Sequence, residues 1–309
     1  MKLSVAMITY NQERFIGQAL EGVLSQKVNF DYEIVIGEDC STDGTRAIVA
    51  DFARRYPDRM VPIFRELNVG AMQNFAETLA TCRGEYVAFL EGDDYWTRDD
   101  KLQMQVDFLD SHPDHAVCST RALFVKEGAQ GHSEVQPQIP ASSYSITDLF
   151  ATNPVVSCTV MYRWGSVGPL PDWIHSLKMA DWPLHILVAR SGGLRLLDEV
   201  TSTYRIHPGG MWSSLSSQDQ GLAIVQMLRT LEKHLDSQYK THIRVALAHR
   251  YLELANGARF GGSRMETARY LFHYARNGGW RLPLNRFIAG LAAYTLIGSG
   301  YRLFSRDKS

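Results

Sequence analysis

The sequence lacks several features that would assign a protein to a class at once. Its four cysteines lie far apart and form no CxxC pair, which argues against a zinc site or a disulfide framework and is typical of a reducing cytosol. Only a short apolar stretch separates Lys2 from the polar residues 11–14, so we expect a buried first strand there rather than a signal peptide.

A small net charge of −1 conceals an asymmetry along the chain. Residues 240–309 contain 12 Lys and Arg against three Asp and Glu, so this segment carries +9 and residues 1–239 carry −10. A basic tail can face a polyanion or an anionic membrane, or it can be a solvated helical face, and charge alone leaves both open. Residues 287–301 contain no charge and fit either a monotopic anchor with basic flanks or a buried terminal helix.

Strand and helix signals alternate over the first 120 residues. Apolar runs predict strands at residues 3–9, 32–37, 60–64 and 85–90, and helical spacing predicts helices at residues 15–24, 45–56, 74–82 and 101–111. This alternation is typical of a parallel sheet with helices on both faces. Ligands of such sheets bind beyond the carboxyl ends of the strands, so the residues that follow each strand are the candidates for a site.

The remaining pattern is first mixed and then helical. Residues 127–145, rich in Gly, Ser, Gln and Pro, are expected to form a loop, residues 155–163 a strand and residues 182–190 a helix. From about residue 222 the spacing is helical, with two helices at residues 241–258 and 264–277 joined at Gly261-Gly262.

Polar side chains follow three of the predicted strands. They are Thr9-Tyr10-Asn11 after the first, Glu38-Asp39 with residues 41–44 after the second, and Glu91-Gly92-Asp93-Asp94 after the fourth. A carboxylate after the second strand can bind a base or ribose, and adjacent carboxylates suit a hard divalent cation that also binds a diphosphate. Repulsion between neighbouring carboxylates is costly without a cation, which favours a site. Singly, each could be a helix cap, and we expect Ser41 or Asp43 to cap the second helix.

Three other enzyme classes disagree with the sequence. A nicotinamide dehydrogenase needs a glycine-rich turn after the first strand, where this chain has TYNQER. The segment Asp43-Gly44-Thr45 is similar to part of the motif of haloacid-dehalogenase-type phosphatases. That motif needs a nucleophilic Asp two residues earlier, at position 41, which is Ser here. A nucleotidyltransferase would need a glycine-rich basic loop near the amino terminus, and the sequence has none.

Five segments resemble glycosyltransferase family 2 in order and spacing over residues 1–210. They are SVAMITYNQERFIGQALEGVLSQ, IVIGEDCSTDGT, NVG, GEYVAFLEGDDYW and ADWPLHILVA. The resemblance implies an α/β GT-A fold, in which a nucleotide-binding half and an acceptor-binding half share one mixed sheet. It predicts a catalytic domain at residues 1–215, with a donor-binding half (1–120) and an acceptor-binding half (121–215). A helical, basic extension would follow at residues 216–309.

The resemblance also implies roles for individual residues. Those expected at the donor are Thr9, Tyr10, Asn11 and Glu13 around the base, Asp39 on the base, Asn68 and Gly70 beside the donor, and Asp93 on the ribose. Asp93 and Asp94 would ligate Mn²⁺ or Mg²⁺ on the diphosphate. Asp181 matches the catalytic base, which would take the proton of an acceptor hydroxyl as it attacks C1 of the sugar with inversion. Without the resemblance, Asp181 would be a first-turn acid of the helix that follows it.

Two departures from the family pattern stand beside these roles. The family often has Asp at position 91, where this chain has Glu91, and its base motif is commonly Glu-Asp, where this chain has Ala180-Asp181.

Further along the chain, His207 is a candidate metal ligand or phosphate contact, although a lone histidine is more often structural. The glycines at 209–210 are a candidate hinge for a lid that carries Trp212.

The expected function is inverting transfer of a sugar from a nucleotide-diphosphate sugar, with UDP as the expected nucleotide. The acceptor would be a hydroxyl of a glycan or lipid-linked molecule in surface-polysaccharide synthesis. The alternative is a sugar-nucleotide-binding or scaffold protein without turnover. The expected location is cytoplasmic, peripheral on the inner membrane through residues 283–309, with no nucleic-acid partner.

Overall fold

The structure is a computed structural model that describes residues 1–128, 133–166 and 169–279, together with residues 288, 291 and 295. The chain divides into two compact units, Met1–Ser213 and Ser214–Ser309. The first unit contains a mixed β-sheet with helices, and the described part of the second is helical. The α/β class expected from the sequence is therefore confirmed, as are the helices at the C-terminal end.

The first half of the sheet unit alternates strictly between strands and helices. Its elements are β1 (Leu3–Thr9), α1 (Ile16–Leu24), β2 (Tyr32–Glu38), α2 (Thr45–Arg55), β3 (Met60–Phe64), α3 (Ala71–Thr81) and β4 (Tyr86–Glu91). The four strands pair in parallel in the order β3-β2-β1-β4. All seven residues of β2, and six of the seven in β1, are buried, because helices cover a parallel sheet on both faces.

The second half of the unit extends the same sheet with strands of both directions. Its elements are β5 (Tyr95–Trp96), α4 (Lys101–Ser111), β6 (His115–Lys126), β7 (Ser133–Gln136), β8 (Ser143–Tyr144), α5 (Ile146–Ala151), β9 (Met161–Arg163), α6 (Asp181–Val188) and β10 (Gly193–Ile206). The sheet continues from β4 as β9-β6-β10-β5, with β9 antiparallel to both of its neighbours and β6 parallel to β10. Two short strands, β7 and β8, pair with β6 and β10.

Two expectations for this half were wrong in detail. The strand expected at residues 155–163 is confined to Met161–Arg163, and a 3-10 turn at Ser157–Thr159 precedes it. The hydroxyl of Thr159 donates to the carbonyl oxygen of Val156 at 2.7 Å, which stabilises the turn against an extended backbone. The expected loop at residues 127–145 includes the strands β7 and β8.

The second unit is built from three helices in its described part. They are α7 (Ser217–His234), α8 (Lys240–Phe260) and α9 (Arg264–Arg276). Helix α8 packs against both α7 and α9: Tyr251 stacks on Tyr270 of α9, and Leu254 lies beside Gly221 of α7. No helix in the described ranges has the length and the apolar character needed to cross a membrane. The contact expected at residues 283–309 lies outside the described residues, apart from three isolated positions.

Candidate active site at the carboxyl ends of the strands

The sheet brings the carboxyl ends of β2, β1 and β4 side by side. Thr9 pairs with Glu38 in the register of β1 and β2, and Ile8 pairs with Glu91 in the register of β1 and β4. The polar segments that follow these strands therefore lie at one edge, with the segment after β1 in the middle.

The segment after β1 is held in place by its own polar side chains. Asn11 has a φ of 53°, and its Oδ1 accepts a hydrogen bond from the backbone N–H of Thr42 at 2.8 Å. One carboxylate oxygen of Glu13 accepts from the N–H of Gly44 at 2.7 Å. Thr9 is buried, whereas Tyr10 is 44% exposed. Tyr10, Asn11 and Glu13 are thus all exposed, and Asn11 and Glu13 also bind neighbouring backbone.

The start of the second helix differs from the expectation for its cap. The N-cap residue of α2 is Gly44, which has no side chain to cap the helix, and Asp43 binds the N–H of Thr45, the first residue of α2, from one position earlier. Ser41 accepts the N–H of Asn11 at 3.0 Å, and Asp43 accepts the N–H groups of Glu13 and Thr45 at 3.1 and 2.9 Å. These side chains therefore tie the segment after β2 to the segment after β1.

Asp39, Asn68 and Gly70 form one hydrogen-bonded group. The two carboxylate oxygens of Asp39 accept the N–H groups of Val69 and Gly70 at 2.8 and 3.0 Å, and the Asn68 amide donates to the Asp39 carbonyl at 3.1 Å. Gly70 has a φ of +84°, which an L side chain rarely adopts. Asp39 itself is buried, so this loop conformation depends on a carboxylate within the protein.

The acidic tip after β4 contains two buried oxygens without partners. Oδ1 of Asp94 accepts the backbone N–H of Arg205 at 2.8 Å, but Oδ2 of Asp94 and Oε2 of Glu91 have no hydrogen-bond partner among the described residues. Burial raises the pKa of Glu91 to about 8, and the charge of Asp93 adds to this. Burial, with Asp93 and Glu91 nearby, also raises the pKa of Asp94 well above its usual range.

These acids fit a divalent cation by their chemistry, although the described residues do not form a complete metal site. Hard cations take oxygen ligands, and a buried carboxylate oxygen without a partner is costly until a donor or a cation satisfies it. In the part of the chain that the structure describes, no three His, Cys, Asp or Glu side chains form a group that could hold a metal ion. The two unpartnered oxygens and the adjacent Asp93 are the side-chain groups available for such an ion.

His207 lies against the same tip from the end of β10. Its Nε2 is 3.0 Å from Oδ2 of Asp93, and its ring is tilted over the ring of Phe15 at 5.0 Å. The hydrogen bond to Asp93 raises the pKa of His207. The N–H of Gly210 donates to the carbonyl of His207 at 3.0 Å, which closes a turn at the proposed hinge.

Asp181 is the first residue of α6, and the helix has no side-chain cap. Burial raises the pKa of Asp181, and its charge in turn raises the pKa of Glu91 and of Tyr162. The structure thus brings Asp181 near the acidic tip. One turn further along α6, the fully buried His185 accepts or donates a 2.8 Å hydrogen bond with the Tyr162 hydroxyl. Burial lowers the pKa of His185 to about 3, so its ring is neutral.

Arg205 is a residue of this region whose role the sequence did not indicate. Its guanidinium carbon lies 5.0 Å from the ring centre of Phe15 and 4.4 Å from that of Tyr95. The same group donates hydrogen bonds to the Asp93 carbonyl and to the side chain of Gln18. Its backbone N–H binds Asp94, so Arg205 connects α1, the acidic tip and β10. The available signal in the sequence was the position of Arg205 two residues before His207, the candidate metal ligand.

Comparison with known proteins identifies a family and several relatives by sequence. The profile of Glycosyl transferase family 2 matches residues 4–170. The chain is 38% identical to the uncharacterized protein Rv1520 of Mycobacterium tuberculosis over 213 residues, 69% of this chain and 61% of that protein. It is 28% identical to the abequosyltransferase RfbV of Salmonella typhimurium over 122 residues, 39% of this chain and 36% of that protein. The matched stretch thus spans about three fifths of the mycobacterial relative.

Solved structures with a similar fold include two bound to nucleotide sugars. S. aureus TarS 1–349 in complex with UDP-GlcNAc has a TM-score of 0.58 at 18% identity, covering 96% of this chain and 92% of that chain. The mannosyltransferase PcManGT of Pyrobaculum calidifontis, in complex with GDP-Man and Mn²⁺, has a TM-score of 0.58 at 15% identity, covering 96% and 88%. These similarities confirm the GT-A fold that the sequence implied.

Proposed function

Because the chain belongs to glycosyl transferase family 2, we propose that it moves a sugar from a nucleotide-diphosphate sugar to a hydroxyl of a glycan or lipid-linked acceptor. UDP is the proposed nucleotide, and surface-polysaccharide synthesis is the proposed context. The UDP-GlcNAc bound by TarS and the sugar-transfer name of RfbV support these choices. We place the reaction in the cytoplasm at the inner membrane, and the four free thiols support a reducing compartment.

The observation that carries the proposal is the acidic tip after β4, at the same edge of the sheet as the loop bound by Asp39. Buried, mutually repelling carboxylates with unpartnered oxygens reduce the stability of the folded protein, so their presence favours a charged ligand. In the proposed complex the diphosphate and its cation lie at this tip. The base and ribose lie toward Tyr10, Asn11 and Asp39, next to the loop that contains Asn68 and Gly70.

We propose Asp93 and Asp94 as the ligands of Mn²⁺ or Mg²⁺. A cation bound there would offset the charge of the departing diphosphate. The Mn²⁺ in the PcManGT complex supports the choice of metal. His207 could bind the metal only as a neutral imidazole, whereas its hydrogen bond to Asp93 favours the protonated form. To become a metal ligand, His207 would therefore have to release its proton and its hydrogen bond to Asp93.

Asp181 is the proposed base. A carboxylate whose pKa is raised by burial is a better proton acceptor than an exposed one, which suits the removal of a proton from the acceptor hydroxyl. As that oxygen attacks C1 of the sugar, the bond from C1 to the diphosphate breaks on the opposite side, and the configuration inverts. The proton then resides on Asp181 until the product leaves.

A screen of nucleotide sugars tests this function directly. Hydrolysis and transfer are measured with UDP- and GDP-sugars, in Mn²⁺, Mg²⁺ or EDTA. Asp181→Asn should lower the turnover number by about 10²- to 10⁴-fold while donor binding is kept, since general-base catalysis contributes that much. The exposed Asp172, replaced by Asn, is the matched control and should transfer at the normal rate.

Two results would contradict the proposal. If Asp181→Asn transferred at the full rate, the base assignment would be wrong. If no nucleotide sugar turned over under any metal condition while one still bound, the alternative of a binding or scaffold protein would be favoured.

A further inference from the structure

Helix α9 in the second unit presents apolar side chains to solvent. Met265 is 82% exposed and Phe272 is 61% exposed. They are seven residues apart, so they lie on one face of the helix, roughly 10 Å from each other along its axis. The opposite face is the packed one, where Thr267, Tyr270 and Tyr274 are buried. Large apolar side chains exposed together on one face indicate an interaction surface.

The same face carries positive charge and no acid. We define the outer face of α9 by its exposed residues, Arg264, Met265, Ala268, Arg269, Phe272, Ala275 and Arg276. The acidic residue of the helix, Glu266, is only partly exposed, projects about 100° away from Met265, and is 3.4 Å from the amide of Gln218. The face therefore combines a central apolar pair with flanking arginines.

We propose that the outer face of α9 binds the surface of a bilayer that contains anionic lipids. Phe272 and Met265 would enter the boundary between headgroups and acyl chains, and the arginines would reach lipid phosphates from the side. This combination of apolar centre and basic flanks is that of helices lying in a membrane interface. The outer face contains none of the proposed active-site residues and requires neither donor nor acceptor. It rests on the membrane location given under the proposed function and assigns the contact to α9, and vesicle binding without nucleotide sugar tests it separately from sugar transfer.

Charge complementarity selects this occupant over a second copy of the chain. Two outer faces packed together would bring six arginines into one interface without an acidic partner from either face, which opposes association. An anionic bilayer supplies the missing negative charge as well as an apolar phase for Phe272. The net charge of +9 on residues 240–309 also favours binding to an anionic surface.

Vesicle binding by the full chain tests the proposal. Partition is measured by flotation with vesicles of phosphatidylcholine plus phosphatidylglycerol, and with phosphatidylcholine alone, without nucleotide sugar. Wild type should bind the anionic vesicles, less so as salt is added. Arg269→Gln with Arg276→Gln should lower partition about 30-fold, at roughly fivefold per arginine. Phe272→Ser should lower it about tenfold without changing the net charge.

Matched substitutions elsewhere keep the test interpretable. Arg54→Gln with Arg55→Gln removes the same charge from α2 and should leave partition unchanged, as should Val245→Ser on the exposed side of α8. Thermal midpoints within about 2 °C of wild type show that the variants fold. The proposal is overturned if the α9 variants bind like wild type, which would assign binding to another segment. It is equally overturned if neutral vesicles bind as well as anionic ones, or if only self-association changes.

Discussion

Glu91 should make the stability of the metal-free protein decrease as the pH rises, and Glu91→Gln should remove that contribution. The carboxyl group keeps one buried oxygen without a hydrogen-bond partner in the described part of the chain. Burial, with Asp93 nearby, raises its pKa from 4.5 to about 8. Glutamine has nearly the same shape but cannot ionise, so the variant isolates the cost of the charge.

The sign and the size follow from the two pKa values. Between pH 4.5 and about 8, the unfolded chain has released the Glu91 proton and the folded protein still holds it. Folding therefore takes up a proton, and this stabilisation is full below pH 4.5 and is lost as the pH rises through 8. The loss is about 1.4 kcal/mol per pH unit, or about 3 kcal/mol over two units. For a unit of this size, that corresponds to roughly 6–12 °C in the midpoint of unfolding.

Thermal unfolding in EDTA at about pH 5.5, 6.5 and 7.5 measures the effect. Asp94 has a raised pKa too and lowers the wild-type curve in the same direction, so the informative quantity is the difference between wild type and Glu91→Gln. The variant should gain on wild type at each step, whereas Glu85→Gln, at a half-exposed side chain paired with Lys2, should run parallel to it. Mn²⁺ should raise the midpoint of wild type more than that of the variant. Parallel curves for wild type and Glu91→Gln would refute the reasoning.

Three further substitutions test other parts of the structure. Arg205→Lys keeps the charge but loses the planar group between Phe15 and Tyr95, so donor affinity should fall several-fold and stability by about 1–2 kcal/mol, measured by calorimetry and denaturant unfolding. Gly84→Ala would place a Cβ 2.4 Å from a backbone nitrogen of β1 and should cost about 3 kcal/mol in the same unfolding assay; an unchanged midpoint would contradict the packing. Gly257→Ala, at a helix position with no heavy atom within 4 Å of the new Cβ, should instead stabilise the protein by about 0.5–1 kcal/mol.

Long apolar runs made the first half of the sheet predictable. The expected strands at residues 3–9 and 60–64 match β1 and β3 at both ends, and the helix at residues 101–111 matches α4. The apolar pattern did not predict a helix start correctly where an adjacent turn sets the backbone conformation. Helix α3 begins at Ala71 rather than at residue 74, because the turn at Gly70 already directs the chain into it.

The strands β6 and β10 were not predictable because their middles are polar and yet buried. Thr120 and Thr201 are fully buried and share a hydrogen bond of 2.7 Å between their hydroxyls, while Ser119 binds Thr159 at 2.8 Å. Each hydroxyl is satisfied by a partner that is distant in sequence, so neither segment shows the apolar pattern of a buried strand.

Lys101 is another buried polar residue whose burial the sequence pattern did not indicate. It is fully buried, with its ammonium 2.7 Å from the Gln105 side chain and 4.2 Å from the ring centre of Trp96. Burial lowers the pKa of this lysine to about 7.

At the acidic tip, the sequence indicated which carboxylates follow β4. The burial that shifts their pKa values depends on Arg205 and the end of β10, which the sequence did not place there.

The two backbone hydrogen bonds accepted by Asp39 have a consequence for redesign of donor preference. A substitution there would change the proposed contact with the base and at the same time release Val69 and Gly70. The effects of mutating Asp39 and Asn68 should therefore be strongly non-additive. Libraries that aim to change the nucleotide are better directed at Tyr10, whose side chain is exposed and is not the acceptor of the Val69 and Gly70 hydrogen bonds.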